Sequence, residues 1–223
     1  MKLVNTLYDL EFDLIENQIL VISIENHLAY SNMLGTLWKQ YKGEDGDFIL
    51  SDKSKELKLS QKMECIYNIF CINTNDKKII TKLYQELTFQ NDTLLQEESI
   101  LFKQELITYF DKVISTVPYN LKYNFDTDLS SLMKSISVEI DDDSDSLLEK
   151  VMQYIKLMNQ ICGVEIFVIP NLKAYFSTED IIQLYKVAIY NKIYLIVIEP
   201  IQTLHVEGEK GWIIDKDLCI IEL

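Results

Sequence analysis

Two apolar runs in the last third of the chain predict buried β-strands. They span residues 164–169 (VEIFVI) and 193–198 (IYLIVI), and short apolar runs of this kind are typical of strands covered on both faces. Between them, residues 178–191 carry apolar side chains at helical spacing, which predicts a crossover helix. A strand, a helix and a second strand in this order indicate a parallel sheet covered by helices. We therefore expect an α/β protein.

The remaining strand signals predict a framework like that of the P-loop kinases, but without the phosphate loop. Residues 18–24 (QILVISI) predict a strand, and residues 26–41 predict a helix with Asn26 as its N-cap. Glu199 follows the second apolar run, as an acidic residue follows the magnesium-binding strand of P-loop enzymes. The sequence contains no G-x-x-x-x-G-K-[ST], however, and the position of that loop reads ENHLAY at residues 25–30. We therefore assign Glu199 a structural role.

The middle of the chain has a different pattern and predicts a helical subdomain. Apolar side chains recur at helical spacing from residue 60 to about 117, and residues 93–117 predict the longest helix. We expect an α/β head formed by residues 1–59 and 137–223, with residues 60–136 inserted as a helical leg. Because such a leg is exposed on several sides, part of its apolar stripe is expected to contact a partner chain.

The charge of the chain narrows the ways in which it could bind nucleic acid. The formal net charge is −14, which argues against a uniformly basic surface but does not exclude a local basic face. All 21 basic residues are lysine, so the chain has no arginine fork for reading guanine edges or clamping phosphates. Any nucleic acid would be held by point charges against phosphate, and such contacts carry little sequence information.

The sequence gives no sign of membrane insertion, secretion or a zinc site. No apolar run approaches the roughly 20 residues that span a bilayer, and the first residues (MKLVNTLYDLEFDL) lack a signal-peptide core. We therefore expect a cytoplasmic protein without a membrane partner. The four cysteines form no C-x-x-C pair, which favours buried reduced thiols over a metal site.

The order of segments near the C-terminus resembles a known family. An apolar strand at 164–169, a helix at 178–191, a strand ending in Glu-Pro at 194–200 and the segment WIIDKD at 212–217 follow in its order. The helix SLLEKVMQYIKLM at 146–158 also matches. On these segments the chain resembles the Csn-two family, the small accessory adaptation protein of type II-A CRISPR systems.

This resemblance implies a fold and a function. The fold would be a P-loop-kinase-like head without ATPase activity, joined to a helical leg. The protein would be a non-enzymatic homotetrameric ring that binds calcium and threads onto the ends of linear double-stranded DNA. It would support the acquisition of new spacers in antiviral defence, beside the CRISPR integrase complex and the type II effector nuclease.

Six lysines are the candidate DNA contacts. The polar segment 50–62 (LSDKSKELKLSQK) is expected to be a loop entering a helix, and the resemblance places basic residues that face the ring opening there. Interleaved acids keep its excess charge modest, so an ordinary solvated loop stays an alternative. The six candidates are Lys53, Lys55, Lys58 and Lys62 in this segment, and Lys77 and Lys78 at the start of the next helix. Lys82 belongs to the same basic cluster as Lys77 and Lys78.

Acidic residues near the junction of leg and head are the candidate calcium ligands, since calcium takes six to eight oxygen ligands. The resemblance suggests Asp126 and Asp128, with Glu139 and Asp141 as further candidates beside Asp142 and Asp143. The run DDDSDS lacks the glycine and the terminal glutamate of an EF-hand loop. Two structural alternatives stay open, namely an N-cap at Asp128 and a favourable charge at a helix N-terminus for the acidic run.

Two other functions remain open at this point. One is a protein-interaction scaffold of the adaptation complex without direct DNA binding, which the charge of −14 favours. The other is a degenerate nucleotide-binding enzyme with a non-standard phosphate loop at residues 25–30. His205 with Glu207 and Glu209 invites a general-base interpretation, but no nucleophile accompanies them. We therefore expect a solvated loop there.

Overall fold

The computed structural model describes residues 1–53, 55–125 and 128–223. The strands are β1 (Lys2–Asn5), β2 (Leu10–Asp13), β3 (Ile19–Ile24), β4 (Phe48–Asp52), β5 (Lys55–Leu57), β6 (Met63–Cys65), β7 (Ile166–Pro170), β8 (Tyr194–Glu199), β9 (Glu209–Ile214) and β10 (Ile220–Glu222). The helices are α1 (His27–Tyr41), α2 (Leu59–Lys62), α3 (Lys77–Leu94), α4 (Gln96–Ile114), α5 (Leu129–Ser135), α6 (Leu147–Gln160) and α7 (Thr178–Tyr190).

The chain forms two compact units. One consists of Met1–Thr74 and Asp142–Leu223, and the other of Asn75–Asp141. The first boundary lies near residue 74 and not at the predicted residue 59, because α2 and β6 lie between these positions and β6 belongs to a sheet of the first unit.

The larger sheet of the first unit has the order β10-β9-β3-β8-β7-β6. Strands β9, β3, β8, β7 and β6 pair in parallel, and β10 pairs with β9 in the antiparallel direction. Every residue of β3 and β7 is buried, which explains why these strands read as apolar runs. The α/β class expected from the sequence is confirmed.

Local sequence signals fix where the helices of this unit begin. Helix α7 starts with a capping box, in which Ser177 Oγ accepts the amide hydrogen of Asp180 and Asp180 accepts that of Ser177. Helix α6 starts with an N-cap at Ser146, whose Oγ accepts the amide hydrogen of Glu149. Both helices bury an apolar stripe, as their spacing predicts.

A second, smaller sheet has the order β2-β1-β4-β5 and is antiparallel throughout. Its strands alternate between buried and exposed residues, with Leu10, Phe12 and Leu50 on the buried face. The ring of Phe12 meets that of Trp212 edge to face, with centroids 5.6 Å apart. The small sheet therefore packs its apolar face into the same core as the larger sheet.

The second unit consists of α3, α4 and α5. Helix α3 buries Ile79 and Tyr84, and the Tyr84 hydroxyl donates to the carbonyl of Val138 at 2.9 Å. The long helix predicted over 93–117 instead begins at Gln96, because the backbone leaves the helical conformation at Leu95, where φ is −124°. None of the described helices is both long enough and apolar enough to cross a membrane.

Candidate functional site

The N-terminus of α1 lies at the carboxyl edge of the parallel sheet, directly after β3. Asn26 caps it as predicted, because its Oδ1 accepts the amide hydrogens of Leu28 at 3.1 Å and Ala29 at 3.0 Å. The Asn26 side-chain amide also donates to the carbonyl of Lys216 at 2.8 Å. A helix N-terminus binds phosphate through such amides. In α1 two of them are already occupied by a side chain of the same protein.

Glu199 is a buried carboxylate at the end of β8. Its Oε1 accepts the backbone amide hydrogen of Lys173 at 2.9 Å. Burial raises the pKa of Glu199 above its ordinary value, and the hydrogen bond from Lys173 opposes that rise only in part. The contact joins the end of β8 to the turn that follows β7, which fits the structural role expected from the sequence.

The expectation of a solvated loop around Glu209 is wrong. Glu209 begins β9, and its side chain is only 2% exposed. Its Oε1 lies 2.8 Å from Nζ of Lys173 and accepts the hydroxyl hydrogen of Tyr185 at 2.6 Å. Its Oε2 accepts the amide hydrogen of Val206 at 3.0 Å. His205, in contrast, is exposed, with its Nδ1 3.7 Å from Oε2 of Glu209.

This buried cluster of Lys173, Tyr185 and Glu209 has an electrostatic consequence. Burial raises the pKa of the Tyr185 hydroxyl, and the hydrogen bond to the Glu209 carboxylate raises it further. Lys173 also donates to the carbonyl of Leu204 at 2.7 Å. The cluster therefore fixes the chain between β8 and β9. Sequence reasoning missed Lys173 and Tyr185 because their partner lies 36 and 24 positions away, respectively.

The segment predicted as a polar loop entering a helix contains a β-hairpin, formed by β4 and β5, before α2. We call this hairpin, together with Lys58 that precedes α2, the lysine hairpin. Leu50 pairs with Leu57 and Asp52 with Lys55, so the apolar residues share the buried side. Lys53 follows β4 with a left-handed φ of 45°. Lys53, Lys55 and Lys58 are exposed. Within the described residues, none of these three lysines forms an ion pair.

Lys62 differs from the other lysines of this segment. It ends α2, and its ammonium group forms an ion pair with the carboxylate of Glu165. Both side chains are only partly exposed. Since a neighbouring carboxylate already balances its charge, Lys62 is the weakest of the four candidates for a phosphate contact.

Lys77 and Lys78 are exposed residues of the first turn of α3, in the second unit. Asp76 caps this helix, and its Oδ1 accepts the amide hydrogen of Lys78 at 2.8 Å. The capping carboxylate offsets the unfavourable interaction of the two lysines with the helix dipole.

Asp128 and Asp142, two of the acidic candidates, have structural partners of their own. Asp128 caps α5, and its Oδ1 accepts the amide hydrogen of Ser131 at 2.6 Å. The hydrogen bonds from Ser131 lower the pKa of Asp128. Asp142 accepts a hydrogen bond from Ser144 at 2.8 Å, which lowers its pKa, and lies 3.6 Å from Nζ of Lys150. Asp126 lies outside the described residues.

The described residues do not assemble a calcium shell. Glu139 and Asp141 lie outside regular secondary structure and are exposed. Within the described ranges, no three His, Cys, Asp or Glu side chains are grouped so that they could hold a metal ion. Calcium takes at least six oxygen ligands, several of them from carboxylates. The expectation of calcium therefore rests on the resemblance alone.

Comparison with known proteins identifies the family. The family model described as CRISPR-associated protein (Cas_Csn2) matches residues 40–218, which include the lysine hairpin, the three helices of the second unit and most of the parallel sheet. The CRISPR-associated protein Csn2 of Streptococcus agalactiae is 24% identical over 206 residues, which cover 90% of this chain and 89% of that protein. The chain therefore belongs to the Csn2 family of CRISPR-associated proteins, and membership of this family implies a role in CRISPR adaptation.

Proposed function

We propose that this protein binds the ends of double-stranded DNA without sequence preference, as a homotetrameric ring, and so supports the acquisition of CRISPR spacers. The observation that carries the proposal is the lysine hairpin. It presents three exposed ammonium groups that form no ion pair with the described carboxylates, in a chain whose net charge is −14. Lysines of this kind bind phosphate without reading base edges.

The exposed face of α4 supports assembly into an oligomer. None of its 19 residues is buried within the chain, and Leu101 and Tyr109 are 60% and 61% exposed. The other large apolar residues exposed on this helix are Ile100, Phe102, Ile107, Phe110 and Val113. So many large apolar side chains exposed on one helix indicate an interaction site. A second copy of the chain is the partner we propose, because an isologous interface of a homo-oligomer buries the same patch of both subunits.

Ring formation also offers a reason for a preference for DNA ends. A closed ring can load only where a duplex ends, whereas an open surface binds linear and circular DNA equally. In the proposed assembly the ring works beside the CRISPR integrase complex and the type II effector nuclease. A requirement for calcium stays a prediction, and no step of the proposal depends on it.

A native gel with linear and covalently closed circular duplexes of one sequence tests this proposal. Each duplex is mixed with the protein in calcium and in a chelator. Binding to the linear form alone supports a ring that loads from ends, and its loss in the chelator supports a role for calcium. Equal binding to both forms refutes threading. Absence of binding in every lane favours the scaffold function instead.

The nucleotide-binding alternative has the weakest support. In a P-loop-kinase-like head, the phosphate position would lie after β3, where Asn26 holds the amides of Leu28 and Ala29. The acidic residue after β8, Glu199, is buried and bonded to the backbone of Lys173. Both groups that would serve a nucleotide therefore have structural partners, which weighs against the nucleotide-binding alternative.

A further inference from the structure

The second unit contains a groove between α3 and α5 whose described lining residues include no acidic side chain. Its volume is about 570 Å³, within the range of small-molecule sites. The described residues that line it are Lys77, Ile80, Thr81, Tyr84, Gln85, Thr88, Ser130 and Lys134. They comprise two lysines, three hydroxyl residues, one amide, and Ile80 and Tyr84 as apolar neighbours. None of them is Asp or Glu, although the chain carries 35 acids against 21 lysines.

The polar lining follows from helical spacing. Lys77, Thr81, Gln85 and Thr88 recur every three or four residues and so share one face of α3. Ser130 and Lys134 are four residues apart and share a face of α5. Two helices that pack together normally meet through apolar side chains. Here the polar faces leave an open groove instead, with donors on both sides.

The neighbouring groove at the other end of α3 has the opposite chemistry. It is lined by Asp92, Glu98 and Asp128 together with Lys103, among other residues. A carboxylate there can balance the charge of Lys103. The groove with Lys77 and Lys134 has no carboxylate among its described lining residues. An acidic group outside this lining is Asp128, whose pKa Lys134 helps to lower.

From this arrangement we infer that the groove between α3 and α5 binds the phosphate backbone of a DNA strand, with Lys77 and Lys134 as phosphate contacts and Thr81 and Ser130 as hydroxyl donors. The inference rests on the proposed DNA binding and adds a second contact region to the lysine hairpin. Lysine and hydroxyl side chains are common phosphate partners. The groove has room for one nucleotide unit, and its donors suit a ligand that carries phosphate and sugar oxygens.

The test compares two variants with equal changes in charge. In the groove variant, Lys77→Gln and Lys134→Gln are combined. In the control, Lys156→Gln and Lys186→Gln remove two exposed lysines of α6 and α7, neither of which lines this groove. Binding of a labelled linear duplex is followed by fluorescence anisotropy between about 50 and 200 mM salt.

Each lost phosphate contact lowers the slope of log affinity against log salt by about 0.9, which is roughly eightfold in affinity near 0.1 M salt. We therefore expect the groove variant to bind about 60-fold more weakly with a slope shallower by about 2, and the control to match the wild type. If the wild type binds but the groove variant keeps its affinity and slope, this inference fails and the proposed function stands. If the wild type itself does not bind, the proposed function fails and the inference falls with it.

A second measurement avoids any effect of the substitutions on folding. The wild-type protein is acetylated with and without duplex, and modification of each lysine is read by mass spectrometry. Protection of Lys77 and Lys134 but not of Lys103 supports the inference, and equal modification of all three overturns it. A nucleoside monophosphate at the same phosphate concentration distinguishes the source of the phosphate. Equal protection by the monophosphate would assign the groove to a free nucleotide and overturn the DNA assignment.

Discussion

The ammonium group of Lys173 lies 2.8 Å from Oε1 of Glu209, and neither side chain is more than 8% exposed. The same carboxylate accepts hydrogen bonds from Tyr185 and from the amide of Val206. A buried charge of this kind depends on its partners, because losing one leaves the other charge without compensation. The pair therefore holds the chain that connects β8 to β9 against the sheet.

Replacing Lys173 by Met is expected to destabilise the protein strongly. The substitution leaves the Glu209 carboxylate buried without its cation, and breaking such a pair costs about 3–5 kcal/mol. We expect a value near the lower end, since Tyr185 and Val206 still donate to Glu209. Urea unfolding of the variant and the wild type measures the difference.

Two further variants show whether the effect belongs to the buried pair. Combining Lys173→Met with Glu209→Leu removes both charges, so we expect it to recover most of the lost stability. Lys62→Met breaks a more exposed pair with Glu165 and should cost at most about 1 kcal/mol. Equal losses for Lys173→Met and Lys62→Met would contradict a special role for the buried pair.

Glu199 makes the stability of the protein depend on pH. Burial raises its pKa in the folded state above the ordinary value of 4.5. The folded protein then binds this proton more tightly than the unfolded chain does, so stability falls as pH rises from about 4.5 through the folded-state pKa. Glu199→Gln removes this loss and keeps an oxygen that can accept the Lys173 amide hydrogen.

The variant Glu199→Gln should therefore gain stability relative to the wild type as pH rises, and lose this advantage at acidic pH. Unfolding curves at several pH values measure the change. Glu207→Gln serves as the control, because Glu207 is exposed in the same connection. A stability difference between Glu199→Gln and the wild type that is the same at every pH would rule out the proposed titration.

The sequence revealed those parts of the fold that depend on local patterns. Strands β3 and β7 lie between other strands and are buried throughout, so they could be predicted from their apolar runs. Asn26 was recognisable as a cap because an amide side chain preceded an apolar-periodic segment. Both features are set by residues close together in the chain.

Features that depend on partners distant in the sequence could not be predicted from it. The lysine hairpin was taken for a loop, because β5 has three residues and the turn at Lys53 lacks glycine and asparagine, which usually mark left-handed conformations. Glu209 was placed in solvent, because nothing near it indicated the ion pair with Lys173, 36 positions away. The charge of a residue therefore predicted its exposure well for Lys53 and poorly for Glu209.

The cap of α1 provides a third prediction. Asn26→Ala removes the acceptor of two amide hydrogens and should cost about 1 kcal/mol. Asn26→Asp retains a capping oxygen and adds a charge that the helix N-terminus favours, although it loses the donor to the Lys216 carbonyl. We therefore expect a smaller loss for Asn26→Asp, measured by thermal unfolding. A larger loss would show that the contact with Lys216 dominates.

Reversing the charge of the lysine hairpin should abolish DNA binding. Changing Lys53, Lys55 and Lys58 together to Glu replaces phosphate attraction by repulsion. We expect no measurable binding of linear duplex, with the native oligomer retained in size-exclusion chromatography with light scattering. The three side chains are exposed, so folding should be unaffected.

A variant with the same change in net charge shows whether DNA binding depends on the charge of the hairpin or on the total charge of the protein. Lys39, Lys156 and Lys186 are exposed on α1, α6 and α7, and changing them to Glu alters the net charge by the same amount. We expect this variant to bind DNA almost as well as the wild type, since charges beyond a Debye length of about 10 Å are largely screened. Equal loss of binding in both variants would remove the hairpin from the proposed interface.

The exposed face of α4 leads to the last prediction. Leu101→Lys combined with Tyr109→Lys places two charges on an apolar face that we propose is buried between subunits, and burying such unpaired charges is costly. We expect light scattering to show dissociation of the oligomer, with helical content unchanged in circular dichroism. Gln104→Lys adds a charge on the same helix at an already polar, exposed position and should leave the assembly intact. If the double variant keeps the mass of the wild type, subunits do not meet through this face.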